Sequence, residues 1–162
     1  MAQFAISDIH GCAKTFDALL NEIQLSPSDE LFLLGDYIDR GPDSKGVIDR
    51  IMQLQRDGYQ VECLMGNHEQ MLLDAIATDD LFANDIWSVN GGEQTLESFG
   101  LQKTDKLGLI PADYLRFMSR LGLYKELNGY ILVHAGLNFE APNPLKDTEA
   151  MLWIRGFENS VD

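Results

Sequence analysis

Four short clusters punctuate this chain, and each combines glycine with acid, amide or imidazole side chains. They are Ser7-Asp8-Ile9-His10-Gly11, Gly35-Asp36-Tyr37-Ile38-Asp39-Arg40-Gly41, Gly66-Asn67-His68-Glu69 and His134-Ala135-Gly136. Each follows an apolar run of strand length. A fold that accommodates all four must bring strand ends together on one rim, because in open α/β sheets ligands gather beyond the carboxyl ends of the strands. All three histidines of the chain lie inside these clusters.

Between the clusters the pattern alternates. Residues 3–7 read as a first strand. Residues 13–24 carry Phe16, Leu19, Leu20 and Ile23 at helical spacing. Residues 31–34 form a wholly apolar run, as expected of a strand covered on both faces. Asp43 and Ser44 can cap a helix bearing Val47, Ile48, Ile51, Met52 and Leu54. Residues 61–65 predict a third strand and 70–77 a third helix.

Residues 79–109 are richer in Asp, Asn and Gly, with a helix predicted over 93–99. A further helix starts near Pro111, with Tyr114, Leu115, Met118 and Leu121 as its buried stripe. The stretch from about 79 to 121 is expected to be a helical insertion bordering the site. Asn128-Gly129 between two apolar segments predicts a β-hairpin with a type I′ turn. The expectation is one α/β domain over residues 1–162, with parallel and antiparallel pairing together.

Composition narrows the class. With 162 residues, 45% hydrophobic and 23% charged, the chain can bury a real core. No apolar stretch is long enough to span a bilayer, and the first residues carry no basic, signal-like segment. Two cysteines make no disulfide framework, so reduced thiols and a cytoplasmic location are expected. A formal net charge of −14 argues against nucleic acid or anionic membranes as partners. An anionic substrate is then drawn only to a locally positive site. Two divalent cations and Arg40 would supply one.

The clusters suit that chemistry. Asp8 and His10, two residues apart, can reach one cation. Asp36 has two oxygens and can bridge to a second, completed by Asn67 and His134. A pair of cations about 3.5–4 Å apart activates water and clamps phosphoryl oxygens. His68, held by Asp39, would act as general acid for the leaving group. Arg40 offers a planar fork for phosphate. The spacing Gly-Asp-x-x-Asp-Arg-Gly arises by chance about once per million start points. Glu69 reads as an acid favoured at a helix N-terminus, and Trp87 and Trp153 read as core or wall residues.

These motifs, in this order, resemble the metallophosphoesterase (calcineurin-like) superfamily, and within it the bacterial branch of PPP-type serine/threonine phosphatases. Met151-Leu152-Trp153-Ile154-Arg155 and Asn90-Gly91-Gly92 with Thr95-Leu96 are similar to its small bacterial members. The resemblance implies a metallo-dependent phosphatase-like β-sandwich of mixed sheets flanked by helices. It implies one metal on Asp8, His10 and Asp36, and another on Asp36, Asn67 and His134. His68 with Asp39 would donate the proton, and Arg40 with Arg155 would hold phosphate. Manganese is the implied ion, with iron or zinc as alternatives.

The implied substrates are phosphomonoesters on a protein or small molecule, or alternatively a dinucleoside polyphosphate. The first motif departs from the family in having Ser7 where glycine is usual. A further family histidine, in a Gly-His motif after the tryptophan-arginine block, has no counterpart before Asp162. The second metal is therefore expected to bind at least roughly tenfold more weakly, and the closing strands of one sheet to be missing. A third reading follows from that histidine: a metal-poor binding or regulatory protein on the same scaffold.

Overall fold

The structure is a computed structural model that describes residues 1–78 and 80–155. Strands β1 (Gln3–Ile6), β2 (Glu30–Leu33) and β3 (Gln60–Cys63) form a parallel sheet in the order β1-β2-β3. Their register is level: Ile6 pairs with Leu33, and Leu33 with Cys63. Three strands that end together release their next residues onto one rim. β2 is the central strand, and Leu31, Phe32 and Leu33 are buried on both faces as the apolar run predicted.

Helix α1 (Ala13–Glu22) packs on α2 (Ser44–Arg56) through Phe16 and Leu20, against Val47, Ile48, Ile51 and Leu54. α1 is shorter than predicted. Gln24 takes a left-handed conformation (φ 50°), and the Leu25 N–H reaches back to the Leu20 carbonyl, which closes the helix. The Asp43 carboxylate accepts from the Gly46 N–H and starts α2 as expected.

Helix α3 (Asn67–Thr78) begins three residues earlier than predicted, so Asn67 and His68 sit in its first turn. The middle stretch then forms α4 (Leu81–Trp87), a kink over Ser88–Gly92, α5 (Glu93–Ser98) and α6 (Ala112–Met118). α4 had no sequence signal. Its apolar Leu81 and Phe82 are exposed, and only Trp87 is buried. α4 packs on α3, α5 on α2, and α6 on α3.

β4 (Tyr124–Leu127) and β5 (Tyr130–Val133) form the antiparallel hairpin, with Leu127 opposite Tyr130. The turn is not type I′. That turn needs positive φ at both central residues, and only Gly129 has it (φ 86°). The hairpin is tied to the parallel sheet through Gly122, whose carbonyl accepts from Met65 N–H. α7 (Thr148–Trp153) closes the described chain, and the Ala135 N–H donates to the Met151 carbonyl. No described helix is long and apolar enough to cross a membrane.

Candidate metal centre

The loops after β1, β2 and β3 meet as the level register requires. The Asp8 N–H donates to Gly35 O, His10 N–H to Asp36 O and Gly11 N–H to Tyr37 O, so the first two clusters are bonded along their length. The approach is close enough to demand glycine. A Cβ on Gly41 would lie 2.0 Å from the His10 carbonyl oxygen, and one on Gly35 would lie 2.5 Å from Gly66.

Six non-glycine residues have positive φ among those described. Five of them are Asp8, His10, Asp36, Asp39 and Arg40. Such conformations cost of order 1–3 kcal/mol each, so the strain is concentrated where the chemistry-bearing side chains are aimed.

Asp36 stands at the centre. Its Oδ2 lies 3.4 Å from His10 Nε2, while its Oδ1 lies 3.5 Å from His134 Nε2. His134 Nε2 is also 3.0 Å from Asn67 Oδ1, and His10 Nε2 is 4.0 Å from Asp8 Oδ1. The two oxygens of one carboxylate thus face two different groups of donors. Ligand atoms sharing one ion at about 2.1 Å sit about 3.0–3.5 Å from each other, and most of these separations fall near that range.

The tautomers fit as well. His10 Nδ1 donates to Ile38 O (2.9 Å) and His134 Nδ1 to Leu34 O (2.8 Å), which turns the bare Nε2 lone pair of each ring inward. Facing Asn67 Oδ1 and Asp36 Oδ1, the His134 lone pair meets only other acceptors. A cation placed between these atoms would satisfy all three. The donor chemistry therefore fits two divalent ions sharing Asp36.

His68 differs. Its Nδ1 donates to Asp39 Oδ2 at 2.7 Å, and its Nε2 lies 3.9 Å from Asp36 Oδ2. His10, Asp36 and His68 also offer atoms within 4.8 Å of one another, so distance alone admits His68 as a ligand. Asp39 is fully buried and accepts from Thr95 Oγ1 (2.7 Å) and Trp87 Nε1 (2.9 Å) as well.

Arg40 Nη1 donates to His10 Nε2 at 2.8 Å. Asp8, Asp36, Arg40, Asn67, His134, Trp153 and Arg155 line one cleft of about 260 Å³. Every sequence-predicted site residue thus lies in this cleft or directly behind it. A larger cleft of about 730 Å³ opens between α2, β3 and α6, and none of the four clusters reaches it. Asp8 is the loosest member, exposed, with its carboxylate accepting from the Ser7 hydroxyl.

Sequence reasoning missed three residues. Glu69 does occupy the first turn of α3, but its fully buried carboxylate accepts from the backbone N–H groups of Asp36, Tyr37, Ile38 and Gly66. It holds the loop that presents Asp36. Burial, and then the Asp36 charge, push its carboxyl up to about 7. Thr95 and Trp87 grip Asp39 from 56 and 48 residues away, and no local pattern marks such a partner.

Known proteins bear on this arrangement. The family profile described as calcineurin-like phosphoesterase matches residues 3–160. A symmetrical bis(5'-nucleosyl)-tetraphosphatase of Nitrosomonas europaea is 36% identical over 138 residues, covering 85% of this chain and 45% of that protein. Serine/threonine-protein phosphatase 1 of Salmonella typhimurium is 38% identical over 91 residues, covering 56% of this chain and 38% of that protein. The chain spans less than half the length of these curated relatives. A protein serine/threonine phosphatase from Saccharomyces cerevisiae has the same fold, with a TM-score of 0.65 at 16% identity over 93% of this chain and 48% of that one.

Proposed function

The chain belongs to the calcineurin-like phosphoesterase family, and from that premise we propose that it hydrolyses phosphate esters at two divalent cations gathered around Asp36. The observation that carries this reading is the divided carboxylate: Oδ2 toward His10 and Oδ1 toward His134 and Asn67. Asp8, His10 and Asp36 hold one ion, and Asp36, Asn67 and His134 hold the other. When bound, such a pair polarises the phosphoryl group and acidifies water. A mixed set of carboxylate, amide and imidazole donors suits manganese, with iron or zinc as substitutes.

The remaining side chains divide the work. Arg40 and Arg155, on the walls of the cleft, pair with phosphate oxygens. His68 directs Nδ1 to Asp39 and leaves Nε2 to give a proton to the departing oxygen. In that step the ring acts as the imidazolium, held through Nδ1–H by Asp39, and is left as the neutral Nδ1–H form once Nε2 has given up its proton. The free thiols Cys12 and Cys63 suit the cytoplasm, and the charge of −14 leaves nucleic acid and membranes as poor partners.

The substrate of the leading reading is a phosphomonoester on a protein or small molecule. Hydrolysis of a dinucleoside tetraphosphate is a second reading. It is favoured by the 138-residue match to a protein of that name, and by Trp153, an indole 41% exposed on the cleft wall where a base can stack. Rates on a phosphoserine peptide and on diadenosine tetraphosphate, compared under one set of conditions, separate the two.

The test of the chemistry itself is direct. Hydrolysis of an aryl phosphate should require manganese or a similar ion and stop on chelation. On an ester with a poor leaving group, His68→Asn should lower kcat by about 10²–10⁴-fold while metal content stays unchanged. Activity that survives exhaustive chelation refutes the metal mechanism, and loss of metal in His68→Asn makes that residue a ligand instead.

A further inference from the structure

Asp39 receives three side-chain donors, and two of them come from the middle of the chain. Trp87 Nε1 donates to Oδ2 at 2.9 Å, beside His68 Nδ1 at 2.7 Å, and Thr95 Oγ1 donates to Oδ1 at 2.7 Å. Thr95 is itself fixed. Its single proton is committed to Asp39, so its oxygen accepts from the Asp39 N–H (2.8 Å) and from the Ser44 hydroxyl (2.9 Å). Both carboxylate oxygens are therefore occupied, and the carboxylate can present only one direction to His68.

The segment that delivers the indole is shaped for that purpose. Across Ser88–Gly92 the chain kinks between α4 and α5, and Gly91 takes the non-helical φ of 105°. Its carbonyl accepts the Arg40 N–H at 3.1 Å, and a Cβ there would lie 2.6 Å from Arg40 N. A Cβ on Gly92 would lie 2.5 Å from the Trp87 ring. The two glycines thus let the chain close over Arg40 and the indole together.

We infer that Trp87 is a positioning residue for proton transfer, its indole N–H setting the Asp39 carboxylate so that His68 keeps Nδ1 on Asp39 and directs Nε2 to the leaving oxygen. The inference rests on the assignment of His68 as proton donor. A filler of the core would need the ring alone. A positioning role needs the N–H, and it matters most where the leaving group most needs a proton.

The experiment compares wild type, Trp87→Phe and His68→Asn, all as full chains loaded with manganese. The substrates are 4-nitrophenyl phosphate, whose leaving group departs unaided, and phenyl phosphate, whose leaving group does not. Trp87→Phe should lose about tenfold in kcat on phenyl phosphate, the scale of one charge-assisted hydrogen bond. On nitrophenyl phosphate it should lose much less, at unchanged metal content. Equal losses on both substrates, or none, overturn the inference. If His68→Asn shows no dependence on leaving group, the proton-donor assignment falls; if it does and Trp87→Phe does not, only the role of Trp87 falls.

A spectroscopic readout stands apart from turnover. In the metal-free protein, the His68 Nδ1–H proton resonance should move in Trp87→Phe; an unmoved resonance contradicts the inference. Should Trp87→Phe fail to fold, Asp39→Asn serves. The Trp87 indole N–H resonance should then move while that of Trp153 stays put, and equal behaviour of the two would overturn the role.

Discussion

Backbone strain lies on the residues that carry the charged and imidazole side chains of the candidate site. Asp8, His10, Asp36, Asp39 and Arg40 all hold positive φ, a cost that isolated loops could not sustain. It is offset by backbone bonds between the clusters and by Glu69, whose carboxylate gathers four N–H groups around Asp36. The cysteines give a test at this scale. Burial, and then the neighbouring Glu62 charge, push the Cys63 thiol up to about 12, whereas Cys12 is exposed. Because the thiolate is the reactive form, alkylation of the native protein at pH 8 should modify Cys12 alone, with Cys63 reacting after unfolding. Mass spectrometry reads the outcome, and equal labelling of both in the native state contradicts the raised thiol of the half-buried Cys63. The charged clusters were legible because glycine, acid and histidine at short spacing are rare together. Trp87 was not, since its partner lies 48 residues away and a lone tryptophan looks like any core residue.

Among the elements, the legible ones are those that bury one face. α1 and α2 show their apolar stripes because both pack on the sheet and on each other. α4 left no trace because Leu81 and Phe82 point to solvent and its one buried anchor is Trp87. The hairpin was predicted from Asn128-Gly129 and formed, but with positive φ at glycine only, so turn type escaped a reading that strand pairing did not. The kink at Gly91 makes a prediction of its own. Gly91→Ala forces both φ 105° and a 2.6 Å contact with Arg40 N, so it should destabilise by about 2 kcal/mol or more and lower activity. Gly58→Ala, at φ 85° with nothing within 4 Å, should cost only about 1 kcal/mol and leave activity unchanged. Urea unfolding with parallel rate measurements distinguishes them, and equal effects would show that the kink does not grip Arg40.

For the molecule as a whole, a net charge of −14 and the proposed binding of phosphate in the cleft are compatible only if the cleft is locally positive. Asp8 and Asp36 offset the charge of Arg40 and Arg155 in its lining until cations enter, and the parallel register of β1, β2 and β3 is what brings those acids within reach of one another. In the proposed mechanism the two ions are therefore the link between fold and function. It is tested most directly by anomalous scattering from crystals grown with manganese. Two peaks should lie on either side of the Asp36 carboxylate, one within bonding distance of Asp8 and His10 and the other of Asn67 and His134. Saturated crystals with no ion touching Asp36, or with His68 Nε2 as a ligand, would contradict the account.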